Sequence, residues 1–417
     1  NIVSVDLPHI PAKDLGPPEA YRGAAVRLEE WLKDGTLAQR GEGRPAMFCY
    51  RQTFEFEGAT RRRTGMACTL DVVPLGPAKD GKGGVLPHEQ TFSGPKEDRL
   101  ALMRATRCQL SPIFGLHQDE KGVAASLLER VCDARRPDVT ATTDDGTRHE
   151  VWVVEDEPTI GAYREALAGE DVFIADGHHR YNTALNYLKE LEKGGRVPAD
   201  HPARRCMFVL VSMSDKGLVI GPTHRVVGGM ERYSFHALAE SARGEWFITP
   251  VDERGEEGLR ALPGAMERGA KKCGKNVLGL YDFASRCAYL ATPVEPDPLA
   301  FDKRFAGKPR AWRVLDVALC QHLIVERLCQ PLAAKKEPLR WAFPHSIAEV
   351  IDIGAGIERG SGGGKGFGGG GAQLAVIVRP TPLESVREVS RANELMPQKS
   401  TFFLPKLATG LFLHPLD

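Results

Sequence analysis

Residues 171–195, DVFIADGHHRYNTALNYLKELEKGG, constrain the fold more than any other stretch of this sequence. The run 171–175 is long enough for one short strand, Gly177 lets the backbone turn sharply, and the pattern that follows is helical until Gly194-Gly195 close it. A strand that feeds a helix through a single glycine belongs in an α/β layer arrangement. The same turn concentrates polar chemistry, because Asp176, His178, His179 and Arg180 crowd around Gly177. Backbone N–H groups and the dipole at a helix start attract anions, and Arg180 adds a permanently charged fork. Asp176 can bind a metal or orient a hydroxyl, and the imidazoles add donors.

The flanking sequence fills out a mixed α+β pattern. Helices are expected over 18–34, 96–106, 122–132, 158–168 and 311–329, and strands over 46–56, 65–74 and 206–213. The basic run Arg61-Arg62-Arg63 reads as a solvated hairpin tip near Gly58, and Asp145-Gly146 as the turn of a second hairpin. Thr381, Pro382 and Glu384 read as N-cap, first helical residue and capping-box partner. The glycine-rich stretch 360–371 lacks a P-loop's spacing: Arg359 stands where its first glycine belongs, and Gly366 follows Lys365 where Ser or Thr should hold magnesium. It reads as a mobile loop. Three regions are expected: 1–170, a core 171–245, and a C-terminal α+β region 246–417.

Composition narrows the function classes. Lysine plus arginine is 55 and aspartate plus glutamate is 55, so the basic excess of a dedicated nucleic-acid binder is missing. The longest apolar runs, such as 207–211, are far shorter than the roughly 20 residues of a spanning helix, so no membrane partner is expected. No leader pattern is visible at the start. Nine cysteines without a C-x-x-C pair argue against zinc ribbons and favour a reducing, cytoplasmic location.

Three further clusters carry candidate chemistry. Pro87-His88-Glu89, followed by Thr91, Lys96, Asp98 and Arg99, offers a carboxylate beside an imidazole on irregular chain, suited to a general base. Thr223, His224 and Arg225 follow a buried strand pair and could contact substrate or phosphate. Lys399, Ser400 and Thr401 could reach a phosphate in the same way, or form a tight loop docking the C-terminus.

Taken together, PHE-x-T, K-x-DRL-x-LMRAT, SPIFGL, ADGHHRYNTAL, PTHR and MPQKSTFFLPKL, spread over about residues 46–412, resemble the bacterial domain of unknown function 1015 family. The DGHHR core is similar to the phosphate-binding turn of the ParB/sulfiredoxin-like superfamily. That resemblance implies an α/β core with a large insertion and a C-terminal α+β extension. Sulfiredoxins carry a cysteine where this chain has His178, and ParB-type switches carry Gly-Glu-Arg-Arg and a basic DNA-binding module; neither fits. Free-serine kinases of the superfamily carry an upstream His-Glu motif and the same DGHHR. The resemblance to them implies Glu89 as base, Asp176 as metal ligand, and Gly177, His178, His179 and Arg180 around the phosphates. His88, Thr223, His224, Arg225, Lys399, Ser400 and Thr401 would surround the substrate.

The expected activity is therefore phosphorylation of a small hydroxyl compound, first of all free L-serine, with ATP or ADP as donor and Mg²⁺ as cofactor. Glu89 and Asp176 stand 87 positions apart, which implies an insertion between them. The C-terminal third would cover the site or mediate a homodimer. Two rivals are a hydrolase with zinc or manganese on Asp176, His178, His179 and His224, and a non-catalytic nucleotide-binding switch.

Overall fold

A two-residue turn sets the first hairpin. Glu57 and Gly58 both take positive φ, 51° and 75°, which suits the right-handed twist of the strands they join. Strands β1 (Met47–Phe56) and β2 (Ala59–Asp71) therefore pair from the turn outward, with Phe54 opposite Arg61, Thr53 opposite Arg62 and Gln52 opposite Arg63. The basic run is thus part of a strand and not a hairpin tip. Arg61 and Arg62 are exposed, whereas Arg63 is only 1% exposed. The computed structural model describes residues 1–10, 15–39, 45–79, 81–89, 94–274, 276–333, 339–357, 367 and 371–417.

The chain forms two compact units, one of residues 1–219 with 403–417 and one of residues 220–402. In the first, further strands up to residue 212 are β3 (Val85–Leu86), β4 (Cys108–Gln109), β5 (Ile113–His117), β6 (Val139–Thr142), β7 (Arg148–Val154), β8 (Val172–Asp176) and β9 (Arg205–Ser212), and the short strand His414–Pro415 pairs with β4. Eight of the nine numbered strands make one sheet, in the order β3-β8-β5-β9-β2-β1-β7-β6. Its pairs are antiparallel except β3 with β8 and β5 with β9. The fold is mixed α/β, as the sequence implies. The expected boundary at 170 is not how the chain packs, because β8 and β9 share a sheet with β1, β2, β6 and β7.

The first unit's helices are α1 (Val3–Asp6), α2 (Pro18–Lys33), α3 (Gly94–Thr106), α4 (Val123–Ala134), α5 (Glu157–Ala166) and α6 (His178–Gly194). Leu127 and Leu128 of α4, with Ile160 and Tyr163 of α5, pack on Cys49, Met66 and Trp152. Tyr181 and Ala184 of α6 pack on Ile174, Phe208 and Leu210. The β6–β7 hairpin turns through Gly146 at φ 80°, where the sequence puts it.

The second unit holds a six-stranded sheet in the order Trp246–Arg254, Cys287–Pro293, Leu278–Asp282, Ala372–Ile377, Arg225–Gly228, Arg340–Ala342. The single long helix expected over 311–329 is broken at Leu315, which is extended at ψ 131°, and Cys320–Cys329 is wound as a π-helix. Thr381 does not cap its helix; its hydroxyl donates to the Ser400 carbonyl at 2.6 Å instead. Of the glycine-rich stretch, 360–366 and 368–370 lie outside the described residues.

Phe208 is fully buried in β9, with its ring edge-on to Tyr181 at 5.9 Å. Phe208→Ala should lower stability by roughly 3–5 kcal/mol, read as a fall in the urea midpoint.

Candidate active site

The parallel pairing of β3 with β8 decides what meets at the candidate site. Two strands running the same way deliver the residues that follow them to the same end of the sheet. Val85 pairs with Val172 and Leu86 with Phe173. Carried forward three residues, that register sets Glu89 level with Asp176, although a helix, two strands, a second helix, a hairpin and a third helix intervene in sequence. His88 then packs against β8: its Nδ1–H donates to the Ile174 carbonyl at 2.8 Å. The His88 backbone N–H donates to His178 Nε2 at 3.3 Å, and the two rings meet edge-on at 4.7 Å. The PHE and DGHHR motifs are therefore brought together, with Glu89 half-buried next to His88.

These bonds fix the tautomers. A carbonyl only accepts, so His88 carries its proton on Nδ1; His178 Nε2 accepts, so its proton is on Nδ1. Burial lowers His88 to about 4, and burial, with the His88 imidazole beside it, also holds His178 well below its ordinary range. Both are neutral at pH 7.

Gly177 takes φ 97°, which lets α6 begin one residue after β8 ends. Arg180 folds back over it, so that a Cβ on Gly177 would meet the guanidinium at 3.1 Å. One arm of Arg180 donates to Asp176 Oδ2 at 3.0 Å and another to the Pro112 carbonyl. β5 has a register shift between Phe114 and Gly115, opposite Asp176, a common device for re-aiming chain beside a site.

The other oxygen of Asp176 faces Lys406, whose Nζ is 3.4 Å from Oδ1. Burial works to raise the Asp176 carboxyl, but Lys406 and Arg180 outweigh it and bring the pKa down to about 2. Lys406 is held there through its backbone. Buried Arg63 donates to the carbonyls of Leu404 at 3.0 Å and Pro405 at 2.6 Å and to Gln52 Oε1. The Gln52 amide donates to the Lys406 carbonyl at 2.9 Å. Phe403 packs between the rings of Phe114 and His88, at 5.7 and 6.2 Å.

With Asp176 ionised and His88 and His178 neutral, Asp176, Arg180 and Lys406 between them carry one net positive charge, counted without the Glu89 carboxylate. It suits an anion at the α6 N-terminus. It does not make a magnesium site on Asp176, because both carboxylate oxygens already face cations. Nor, among the described residues, is there a group of three or more His, Cys, Asp or Glu placed to hold a metal ion, so the His-rich hydrolase centre has no ligand set there.

The other candidates stand elsewhere. Asp98 is fully buried and holds the N-terminal segment, accepting from Tyr21 Oη at 2.8 Å and pairing with His9 Nε2 at 2.7 Å and with Arg99. Thr91 and the Lys96 side chain lie outside the described residues. Thr223, His224 and Arg225 are buried in the second unit, and Arg225 donates to the carbonyls of Gln398 and Lys399 at 3.1 and 3.0 Å. The PTHR and MPQKST motifs thus meet each other. His224 accepts from the Val378 N–H at 3.3 Å, and Ser400 is buried with its hydroxyl on the Pro397 carbonyl. Lys399 is exposed at φ 59°, and Thr401 is half-buried. Sequence reasoning chose Lys399 from the last block and missed Lys406, seven residues on.

The chain belongs to the family described as protein of unknown function (DUF1015), which matches residues 1–318. No curated protein sequence matches it. Among solved structures, a free serine kinase in complex with AMP is 13% identical, over 81% of this chain and 87% of that one, at a TM-score of 0.36. SbnI with C-terminal truncation from Staphylococcus aureus is 11% identical, over 84% and 87%, also at 0.36.

Two outcomes follow from the local geometry. Gly177→Ala forces an L-residue to φ 97° against Arg180 and should cost about 1–2 kcal/mol, read from the urea midpoint. His88 has a folded pKa of about 4 against an ordinary 6.5, so between those values the unfolded chain binds the extra proton. Its contribution is complete above pH 6.5 and is lost as pH falls toward 4, at up to about 1.4 kcal/mol per pH unit. Urea midpoints should fall across that window, and less steeply in His88→Gln.

Proposed function

We propose that the first unit binds a nucleotide phosphate at the N-terminus of α6 and transfers a phosphoryl group to a small hydroxyl compound, with free L-serine as the first acceptor. The observation that carries this reading is the convergence at one sheet end of a carboxylate, Glu89, with a turn made cationic by Arg180 and Lys406. Phosphoryl transfer needs little from a protein beyond an anion cradle, an aligned acceptor and a base. The backbone N–H groups of residues 178–180 and the Arg180 guanidinium supply the cradle, and the α6 dipole adds to it. Glu89 takes the proton of the attacking hydroxyl. His88 and His178, both neutral, line the turn without adding charge.

The motifs themselves support the same reading, since His-Glu before DGHHR is the pattern in which this chain resembles the free-serine kinases. Asp176, between two cations, is read as a residue that orients the turn and not as the metal ligand. Divalent metal would arrive with the nucleotide.

Purified protein incubated with L-serine, Mg²⁺ and either ATP or ADP should yield O-phosphoserine by mass spectrometry. Glu89→Gln should lower turnover roughly 10²- to 10⁴-fold while nucleotide affinity stays near that of the wild type. Nucleotide binding without product from any hydroxyl acceptor would instead favour the regulatory switch. Unchanged turnover in Glu89→Gln would remove that residue from the mechanism.

A further inference from the structure

One edge of the first unit's large sheet is left uncovered. Among the described residues β6 pairs with β7 alone, and all four of its residues are exposed, Val139 at 48%. The other edges of the two large sheets are blunted in ways that discourage further pairing. β3 is two residues long and buried. The edge strand Trp246–Arg254 carries Pro250, a register shift after it and three charged residues at its end. Arg340–Ala342 is three residues long and opens on an exposed arginine. β6, Val-Thr-Ala-Thr, has no charge, no proline and no shift in register. The Thr143 N–H donates to the Thr147 carbonyl at 3.0 Å, so the alternation of an antiparallel ladder turns the main-chain groups of Thr140 and Thr142 away from β7.

We propose that β6 pairs antiparallel with β6 of a second copy of this chain, about a two-fold axis, joining two eight-stranded sheets into one. The charges that flank the strand identify the occupant. Arg136 lies before it and Asp144 after it; both are exposed, and among the described residues neither has an ion-pair partner. Their neighbours are already engaged, Arg135 by Asp138 and the Val153 carbonyl, Asp145 by the Thr143 hydroxyl and the Thr147 N–H. One end of the edge is therefore basic and the other acidic. An antiparallel copy reverses the two ends, so each Arg136 comes beside the partner's Asp144. Arg136 and Asp144 stand equally far from Thr140, so the register that matches these charges sets Thr140 opposite its own copy and Val139 opposite Ala141. The outward N–H and C=O of the two Thr140 residues then bond each other, threonines meet on one face, and Val139 covers Ala141 on the other. A slip of two residues would keep the hydrogen bonds and lose the charge match. Four residues a side make a small interface, so the dimer dissociates on dilution.

The test is sedimentation equilibrium of the full chain at low salt, over roughly 1–200 µM, with the average mass as readout. The wild type should move from one chain's mass toward twice that as concentration rises. Thr140→Pro removes an N–H that β7 does not use and should weaken the dimer at least roughly 10-fold. Arg136→Glu sets like charges together and should weaken it roughly 5- to 30-fold. Arg136→Glu combined with Asp144→Lys in the same chain reverses both ends and should restore the wild-type dimer, a recovery that a structural role for either residue does not produce. Urea midpoints at a concentration where every variant is monomeric should agree closely, since all three positions are exposed. A wild type that is monomeric throughout overturns the proposal and leaves the edge to a strand of different sequence. A dimer that Thr140→Pro or Arg136→Glu leaves intact, or that the double reversal fails to restore, overturns it as well and puts the contact on another surface.

Discussion

The buried guanidinium of Arg63 is the interaction on which the site's geometry depends. It is 1% exposed, and burial lowers its pKa to about 10, which still leaves it charged at neutral pH. A buried cation is tolerable only when its donors are used. Arg63 places them on Gln52 and on two main-chain carbonyls, and rests its face 4.4 Å from the centre of the Phe114 ring. Main-chain carbonyls cannot swing away as a side chain would. Solvating Arg63 therefore fixes residues 404–406 in position, and a structural requirement of β2 becomes the means by which a residue near the C-terminus reaches Asp176.

The second constraint is directional. β3 contributes only two residues to the sheet, yet because it runs parallel to β8 everything after it arrives at the mouth of the β8–α6 turn. An antiparallel partner would have sent His88 and Glu89 to the opposite end. The Nδ1–H bond from His88 to Ile174 extends that pairing beyond the last ladder bond, and its N–H bond to His178 ties the strand to the helix start. Here the length of chain between the motifs has no effect on their distance in space. The register offset within one parallel pair is the same offset that separates Glu89 from Asp176.

How much of this was legible depends on the range over which the determining interaction acts. The turn at Gly177 and the hairpin at Gly146 are set by residues next to each other, and both follow from φ preferences alone. Arg63 was misread for want of one local fact. The two-residue turn at Glu57-Gly58 leaves no loop, so the three arginines lie in β2 opposite Phe54, Thr53 and Gln52, and Arg63, the farthest of them from the turn, is the one that is buried. Thr381 had the right residue type for a cap but found a better acceptor in Ser400. Lys406 carried no local signal that set it apart from Lys399. Its place is decided by Arg63 and Gln52, more than three hundred residues earlier, and no pattern in the final block encodes them.

The charge balance at the turn then separates two kinds of chemistry that the sequence leaves open. A metal centre gathers anionic or neutral ligands around an empty position, and the cation supplies the charge. The Asp176 turn does the opposite. It surrounds one carboxylate with two fixed-charge side chains and two imidazoles held neutral by burial, so the protein supplies the positive charge itself. Neutral imidazoles matter to that balance. Were His88 and His178 protonated, two further charges would sit within the same few ångströms and the turn would repel its own arginine. Burial against Ile174 and Phe403 prevents this, leaving a modest positive excess at a helix N-terminus, which favours an anion while keeping Asp176 ionised beside it.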